Sequence, residues 1–224
     1  MRPRTYGAKL RRVQRLAALI LAVALCTPAL AAADAPVKIV VLGDSLSAGY
    51  GLPVQSAFPE KLAVALQAKG IAVIVTNAGV SGDTAFGGLG RLDWSVPQGT
   101  DAVILELGAN DALRGVDPAV TKTALDNILG NLAGRHIFVL LAGMRAPRNM
   151  GADFDKTFDA VYPALASTHA VVFYPFFLDG VAADPKLNQG DGMHPNAAGV
   201  DVIVGRMLPS VQQLIARVRA ARGS

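Results

Sequence analysis

Cysteine, charge and aromatic residues are all scarce in this chain. Cys26 is its one thiol in 224 residues, so no intrachain disulfide framework and no thiolate metal site can be built from it. Charged residues make up 17% and hydrophobic residues 52%, against roughly 25% charged in an ordinary soluble domain. A disordered or acidic-tail chain is thereby excluded. No apolar run approaches the about 20 residues needed to cross a bilayer. The run from Leu16 to Cys26 is about half that and stops at Thr27-Pro28. What remains is a length that suits one domain with a packed core.

The formal charge of +4 is misleading until it is divided along the chain. Arg2, Arg4, Lys9, Arg11, Arg12 and Arg15 all precede the first acidic residue, Asp34, and without them 15 basic residues face 17 acidic ones. The body therefore carries no basic stripe for phosphates, and no nucleic-acid partner is expected. The basic stretch, the apolar run and the small residues Ala31-Ala32-Ala33 read as a secretory signal, cut after Ala31 or Ala33. Residues 1–33 are thus expected to be a cleaved leader and residues 34–224 the working domain, periplasmic or secreted. Cys26 leaves with the leader. The mature chain is expected to be a monomer with no stable membrane anchor.

From Pro36 onward, short β-branched runs alternate with longer helical patterns. Strands are expected at Lys38 to Leu42, Ala72 to Asn77, Ala102 to Leu107, Ile137 to Ala142 and Val171 to Tyr174, each nearly all apolar, as in parallel strands covered on both faces. Helices are expected at Pro59 to Lys69, Pro118 to Leu132, Phe154 to Ser167 and Asn196 to Arg222, with Pro209 splitting or kinking the last. Five strands with crossover helices make a single three-layer α/β/α domain around a mostly parallel sheet. Ligands of such sheets sit beyond the carboxyl ends of the strands.

The polar residues that follow the strands are therefore the informative ones. Gly43-Asp44-Ser45-Leu46-Ser47-Ala48-Gly49-Tyr50-Gly51 follows the first, Ser81-Gly82-Asp83-Thr84 the second, Gly108-Ala109-Asn110-Asp111 the third, and Asp191-Gly192-Met193-His194-Pro195-Asn196 comes after the fifth. A serine hydroxyl is a weak nucleophile and needs a base, and the base needs a carboxylate on its far nitrogen. Asp191 and His194, three apart, can be paired by one turn. Ser45 in a strand-to-helix turn offers its own N–H to an oxyanion, Gly82 leaves room for a second backbone donor, and the Asn110 amide supplies a third. These are the parts of acyl transfer to water.

The same segments resemble the GDSL or SGNH serine hydrolases, whose name lists Ser, Gly, Asn and His from four sequence blocks. GDSLSAGYG at Gly43–Gly51, SGDT at Ser81–Thr84, the run Glu106–Gly115, YPFF at Tyr174–Phe177 and DGMHPN at Asp191–Asn196 carry the likeness in order along nearly the whole mature chain. They are most similar to a bacterial periplasmic group of arylesterase-type thioesterases and lysophospholipases. The resemblance implies a flavodoxin-like sheet and no cofactor or metal. It implies Ser45 as nucleophile, His194 as base, Asp191 as its partner, and the Ser45 N–H, Gly82 N–H and Asn110 side chain as oxyanion hole. Ala109 departs from the glycine common at that point.

Other readings of these residues are weaker. Gly43–Gly51 fits neither G-x-G-x-x-G nor G-x-x-x-x-G-K-[ST], so a nucleotide loop is disfavoured. Asp44, Asp83 and Asp111 are read as loop hydrogen-bonding residues rather than metal ligands, and His136 and His169 as structural or solvated. Met144, Met150, Phe154 and Phe177 are candidate walls of an apolar groove for acyl chains, with Met as the adaptable element. The resulting expectation is an exported esterase acting on small-molecule or lipid esters and thioesters. A carbohydrate O-deacetylase and a non-catalytic envelope binding module are the alternatives.

Overall fold

A computed structural model describes residues 35–223. The expected leader lies outside the described residues. Residues 36–218 form one compact unit that holds the sheet and the candidate site. Outside it, Arg222 donates to the Ala35 carbonyl at 2.7 Å. Among the described residues no helix is long and apolar enough to cross a membrane.

The strands are β1 (Val37–Gly43), β2 (Val73–Gly79), β3 (Ala102–Glu106), β4 (Phe138–Ala142) and β5 (Val172–Tyr174), in the order β2-β1-β3-β4-β5 with every pairing parallel. All five fall within one or two residues of their expected positions. The burial of the strands follows their places in the sheet. Central β3 is buried throughout, whereas edge β2 alternates from Val73 through exposed Ile74, as a strand half-covered by protein does. The chain order reverses between β1 and β3, which makes the crevice at their carboxyl ends the natural ligand position. Register sharpens this, because Gly43 is level with both Gly79 and Glu106. Three loops therefore leave the sheet along one line.

The flanking helices are α1 (Ser45–Ala48), α2 (Phe58–Gln67), α3 (Ala85–Gly90), α4 (Leu92–Ser95), α5 (Ala109–Leu113), α6 (Pro118–Gly134), α7 (Ala152–Asp159), α8 (Val161–Thr168) and α9 (Ala197–Gly223). Helix α6 starts at Pro118 behind the Asp117 cap, as its sequence requires. Two expectations need correction, and both concern proline. The helix expected over Phe154 to Ser167 is two helices that meet at Ala160. Pro163 has no N–H for the carbonyl of Asp159 and its ring crowds that carbonyl, so α7 ends there. Pro209, by contrast, does not split α9. Val204 and Met207 before it and Val211 and Leu214 after it are all buried, and that packing on both sides outweighs the roughly 3 kcal/mol cost of an internal proline.

Candidate active site

The β1 strand delivers the chain into a turn whose shape is set by its side chains. Asp44 caps α1 by accepting from the Leu46 N–H at 2.9 Å. Ser45 is the first helical residue, so its own N–H has no partner within the helix. Gly43 is required at the strand end because a Cβ there would lie 2.3 Å from Ser47 Oγ and 2.6 Å from Glu106 Oε2. The space it leaves admits Glu106, whose Oε2 accepts from Ser47 Oγ at 2.7 Å and from the Asp44 N–H at 3.3 Å. One carboxyl thus grips the turn on both sides of Ser45.

His194 arrives from the segment preceding α9. Its Nε2 lies 3.0 Å from Ser45 Oγ, and its Nδ1 lies 2.6 Å from Asp191 Oδ2. The other Asp191 oxygen accepts from the Met193 and His194 N–H groups at 2.9 and 3.0 Å. Those two backbone donors, more than the imidazole, hold the Asp191 carboxyl down at about 2. The loop is braced from outside by Gln189, which donates its N–H to the His194 carbonyl and its amide to the Tyr50 and Pro195 carbonyls. The Tyr50 ring lies against the imidazole, centroids 4.6 Å apart.

Asn110, on the first turn of α5, donates from Nδ2 to the Asp83 carbonyl at 2.9 Å and to Asp44 Oδ2 at 3.1 Å. It therefore stands between the residue beside Gly82 and the residue beside Ser45. Gly82 has φ +83°, a left-handed conformation that favours glycine, and Arg114 donates to its carbonyl at 2.8 Å. Arg91 is a positioning residue not anticipated from the sequence. Nearly buried, it donates to Asp83 Oδ2 at 2.6 Å, to the Ala78 carbonyl at 2.8 Å, to Ser95 Oγ at 3.0 Å and to the Gly43 carbonyl at 2.9 Å. Its guanidinium ties the ends of β1 and β2 to the loop that follows Gly82. It stands between α3 and α4, as the residue that ends one and precedes the other, and no local sequence pattern marks it.

The aspartates read as loop residues are engaged in hydrogen bonds. Asp111 accepts from the Ala85 N–H at 2.9 Å and from Thr121 Oγ1 at 3.1 Å, while Asp83 and Asp44 hold the partners already described. His169 pairs with Asp126 at 2.7 Å, and His136 is exposed with φ +56°.

Ser45, Asn110 and His194 open onto one cleft of about 590 Å³ whose walls include Leu46, Leu113, Met144, Phe176, Leu178 and Met193. Of the four groove candidates, Met144 lines it. Phe177 does not: it is fully buried and packs edge-on against Phe58, 5.1 Å between centroids. Its neighbour Phe176 takes the cleft position instead. Phe154 stacks on Phe158 at 5.9 Å, and neither it nor Met150 is among the lining residues. Residue type gave the right side of the sheet, but the direction of Phe177 is set by its packing against Phe58 of α2.

Burial dominates the acid pair beneath the turn. It raises Asp44 from an ordinary 3.8 to about 6, and it raises Glu106 well above 4.5, with the Asp44 charge adding to the rise. Glu106 Oε1 is buried without a partner among the described residues. The folded chain therefore keeps protons that the unfolded chain releases once the pH passes the ordinary carboxylate range. That contribution to stability is present at low pH and shrinks as the pH rises through about 4 to 6 and beyond. Glu106→Gln, which preserves an acceptor for Ser47 and Asp44, is expected to lose less stability than the parent between pH 5 and pH 8. Urea melts across that range check this, and parallel curves for parent and variant would refute it.

A hydroxyl, an imidazole and a carboxylate in hydrogen-bonded sequence beside backbone and amide donors can carry out acyl transfer from an ester to water. Fold and site together define an ester-hydrolysing enzyme of the three-layer α/β/α class. The chain belongs to the GDSL-like lipase/acylhydrolase family, whose model matches residues 41–202. It is 41% identical to an arylesterase of Vibrio mimicus over 74% of this chain and 83% of that protein. It is 39% identical to thioesterase 1/protease 1/lysophospholipase L1 of Escherichia coli K12 over 83% and 86%. The structure of the psychrotrophic esterase EstA from Pseudoalteromonas sp., inhibited by monoethylphosphonate, superimposes with a TM-score of 0.76 at 29% identity, over 80% of this chain and 98% of that one.

Proposed function

We propose that this enzyme is an exported serine esterase that cleaves carboxylic esters and thioesters of acyl chains through an acyl-enzyme on Ser45. The observation that carries the reading is the 3.0 Å contact between His194 Nε2 and Ser45 Oγ, with Asp191 2.6 Å behind the imidazole. His194 takes the serine proton as Oγ attacks the acyl carbonyl, and returns it to the leaving alcohol or thiol. Asp191 holds the tautomer that leaves Nε2 free to accept, and it stabilises the imidazolium. The oxyanion is received by the Ser45 and Gly82 N–H groups and by the Asn110 amide, one of whose two hydrogens turns to it from Asp44 Oδ2. The next half-reaction repeats the cycle with water. No step needs a metal or cofactor.

The apolar walls of the cleft favour acyl chains over a carbohydrate ester. The basic and apolar leader supports export, with residues 34–224 as the monomeric mature enzyme. A fluorophosphonate probe is expected to add its mass to a single peptide, the one containing Ser45, and to abolish ester hydrolysis in proportion to labelling. The relative inhibited by a phosphonate makes the probe class apt. In a series of nitrophenyl esters the rate is expected to hold or rise from acetyl to hexanoyl. Labelling on another residue would remove Ser45 from its role, and a peak at acetyl with decline by hexanoyl would favour O-deacetylation.

A further inference from the structure

Two arginines, Arg145 and Arg148, line the cleft, and among the described residues no aspartate or glutamate lines it. Arg148 is answered from outside the lining by Asp159 at 2.9 Å and Asp155 at 3.8 Å. Arg145 differs. It leaves the end of β4 beside Met144, is exposed, and lays its guanidinium over the Phe176 ring, Cζ 4.8 Å from the centroid. Among the described residues it has neither an ion pair nor a hydrogen bond. Stacking on a ring face holds a guanidinium in place without using its N–H donors, which stay available at the edge of the plane. An unanswered cation fixed in a mostly apolar wall is unfavourable for a purely aliphatic guest. It favours a guest that brings an anion, because a planar fork pairs bidentately with carboxylate or phosphate.

We infer that Arg145 is a specificity-determining residue that binds a carboxylate or phosphate carried by the ester substrate, an assignment that rests on the esterase reading above. The anion can sit on the acyl chain or on the alcohol, and two substrate pairs distinguish these sources. In one pair, a nitrophenyl octanoate is compared with the nitrophenyl monoester of the matching dicarboxylic acid, which places the carboxylate at the end of the acyl chain. In the other, a phenyl butyrate bearing a ring carboxylate is compared with its ring carboxamide, which places the charge on the leaving group. The quantity read is the ratio of kcat/KM for the charged member to that for the neutral member.

In at least one pair this ratio is expected to be about tenfold higher for the parent than for Arg145→Gln. Arg145→Lys should fall between them, since it keeps the charge but loses the fork. Added salt should shrink the parent's preference and leave that of Arg145→Gln nearly unchanged. Arg148→Gln, whose guanidinium is already paired, should leave the ratio close to the parent's. The assignment is overturned if the ratio in both pairs is the same in parent and Arg145→Gln. It is equally overturned if Arg145→Gln slows charged and neutral members alike, which would make the side chain an apolar wall. Failure of the esterase reading would look different, as an absence of turnover on both neutral esters by the parent, and would remove this assignment with it.

Discussion

Ser45→Ala is expected to fold like the parent and to lose ester turnover by about 10⁶ in kcat. Folding should survive because the hydroxyl supports nothing in the core. Its hydrogen-bond partner is His194 Nε2, the cap of α1 comes from Asp44, and alanine is at ease at the start of a helix. The chemistry should not survive, because in the mechanism proposed above the bond to the acyl carbon forms at that oxygen. What remains is the imidazole acting on water together with the oxyanion donors, which is why the residual rate should still exceed uncatalysed hydrolysis by about 10³ to 10⁴. The loss should appear in kcat with little change in KM, since the apolar walls of the cleft are untouched. Hydrolysis of a neutral nitrophenyl ester, with a thermal melt to establish folding, checks both halves. A variant that melts like the parent and retains a tenth of its turnover would mean that another group attacks the ester.

Much of this arrangement was legible before any coordinates. Nearly apolar strand runs alternating with helices pointed to parallel strands, covered on both faces except at edge β2, and the polar residues directly after them had to share one edge of the sheet. That reasoning brought Ser45, Gly82 and Asn110 to the ends of three adjacent strands, and the spacing of Asp191 and His194 brought their side chains within 2.6 Å. It failed where the outcome depends on which competing contact is stronger. Pro163 and Pro209 present the same missing N–H, yet one ends a helix and the other is carried inside one, according to the packing on either side. Phe176 and Phe177 are adjacent aromatic residues, and only the chain direction after Tyr174 decides which reaches the cleft. Glu106 and Arg91 escaped notice for a different reason. Their partners lie 62 and 48 residues away in sequence, Asp44 for one and Gly43 for the other, and no local pattern marks a charge that is buried for the sake of a distant turn.

Asp191→Asn isolates the tautomer argument and should cost about 10⁴ in kcat. The substitution is nearly isosteric. Its remaining oxygen can still accept from the Met193 and His194 N–H groups that shape the turn, so the loop should keep its course. The atom facing His194 Nδ1 then becomes either an NH₂ or a neutral oxygen. If the NH₂ faces the ring, Nδ1 must be the acceptor and the ring proton moves to Nε2, where it points at Ser45 Oγ and blocks proton abstraction. If the oxygen faces the ring instead, the tautomer is kept, but the NH₂ then opposes the Met193 and His194 N–H groups and the carboxylate charge that stabilises the imidazolium is gone. Either way kcat should fall far more than KM rises. In the parent, Asp191 stays ionised down to about pH 2. Its contribution to stability, present above the ordinary carboxylate range, is lost only as the pH falls toward that value. Loss of activity on mild acidification is therefore not a loss of the Asp191 charge. Parent and variant compared at one pH above that loss, with kcat and KM measured separately, give the clean result. An Asp191→Asn enzyme within tenfold of the parent would show that the Tyr50 ring and the Gln189 brace suffice to orient His194, and that the carboxylate serves the turn rather than the reaction.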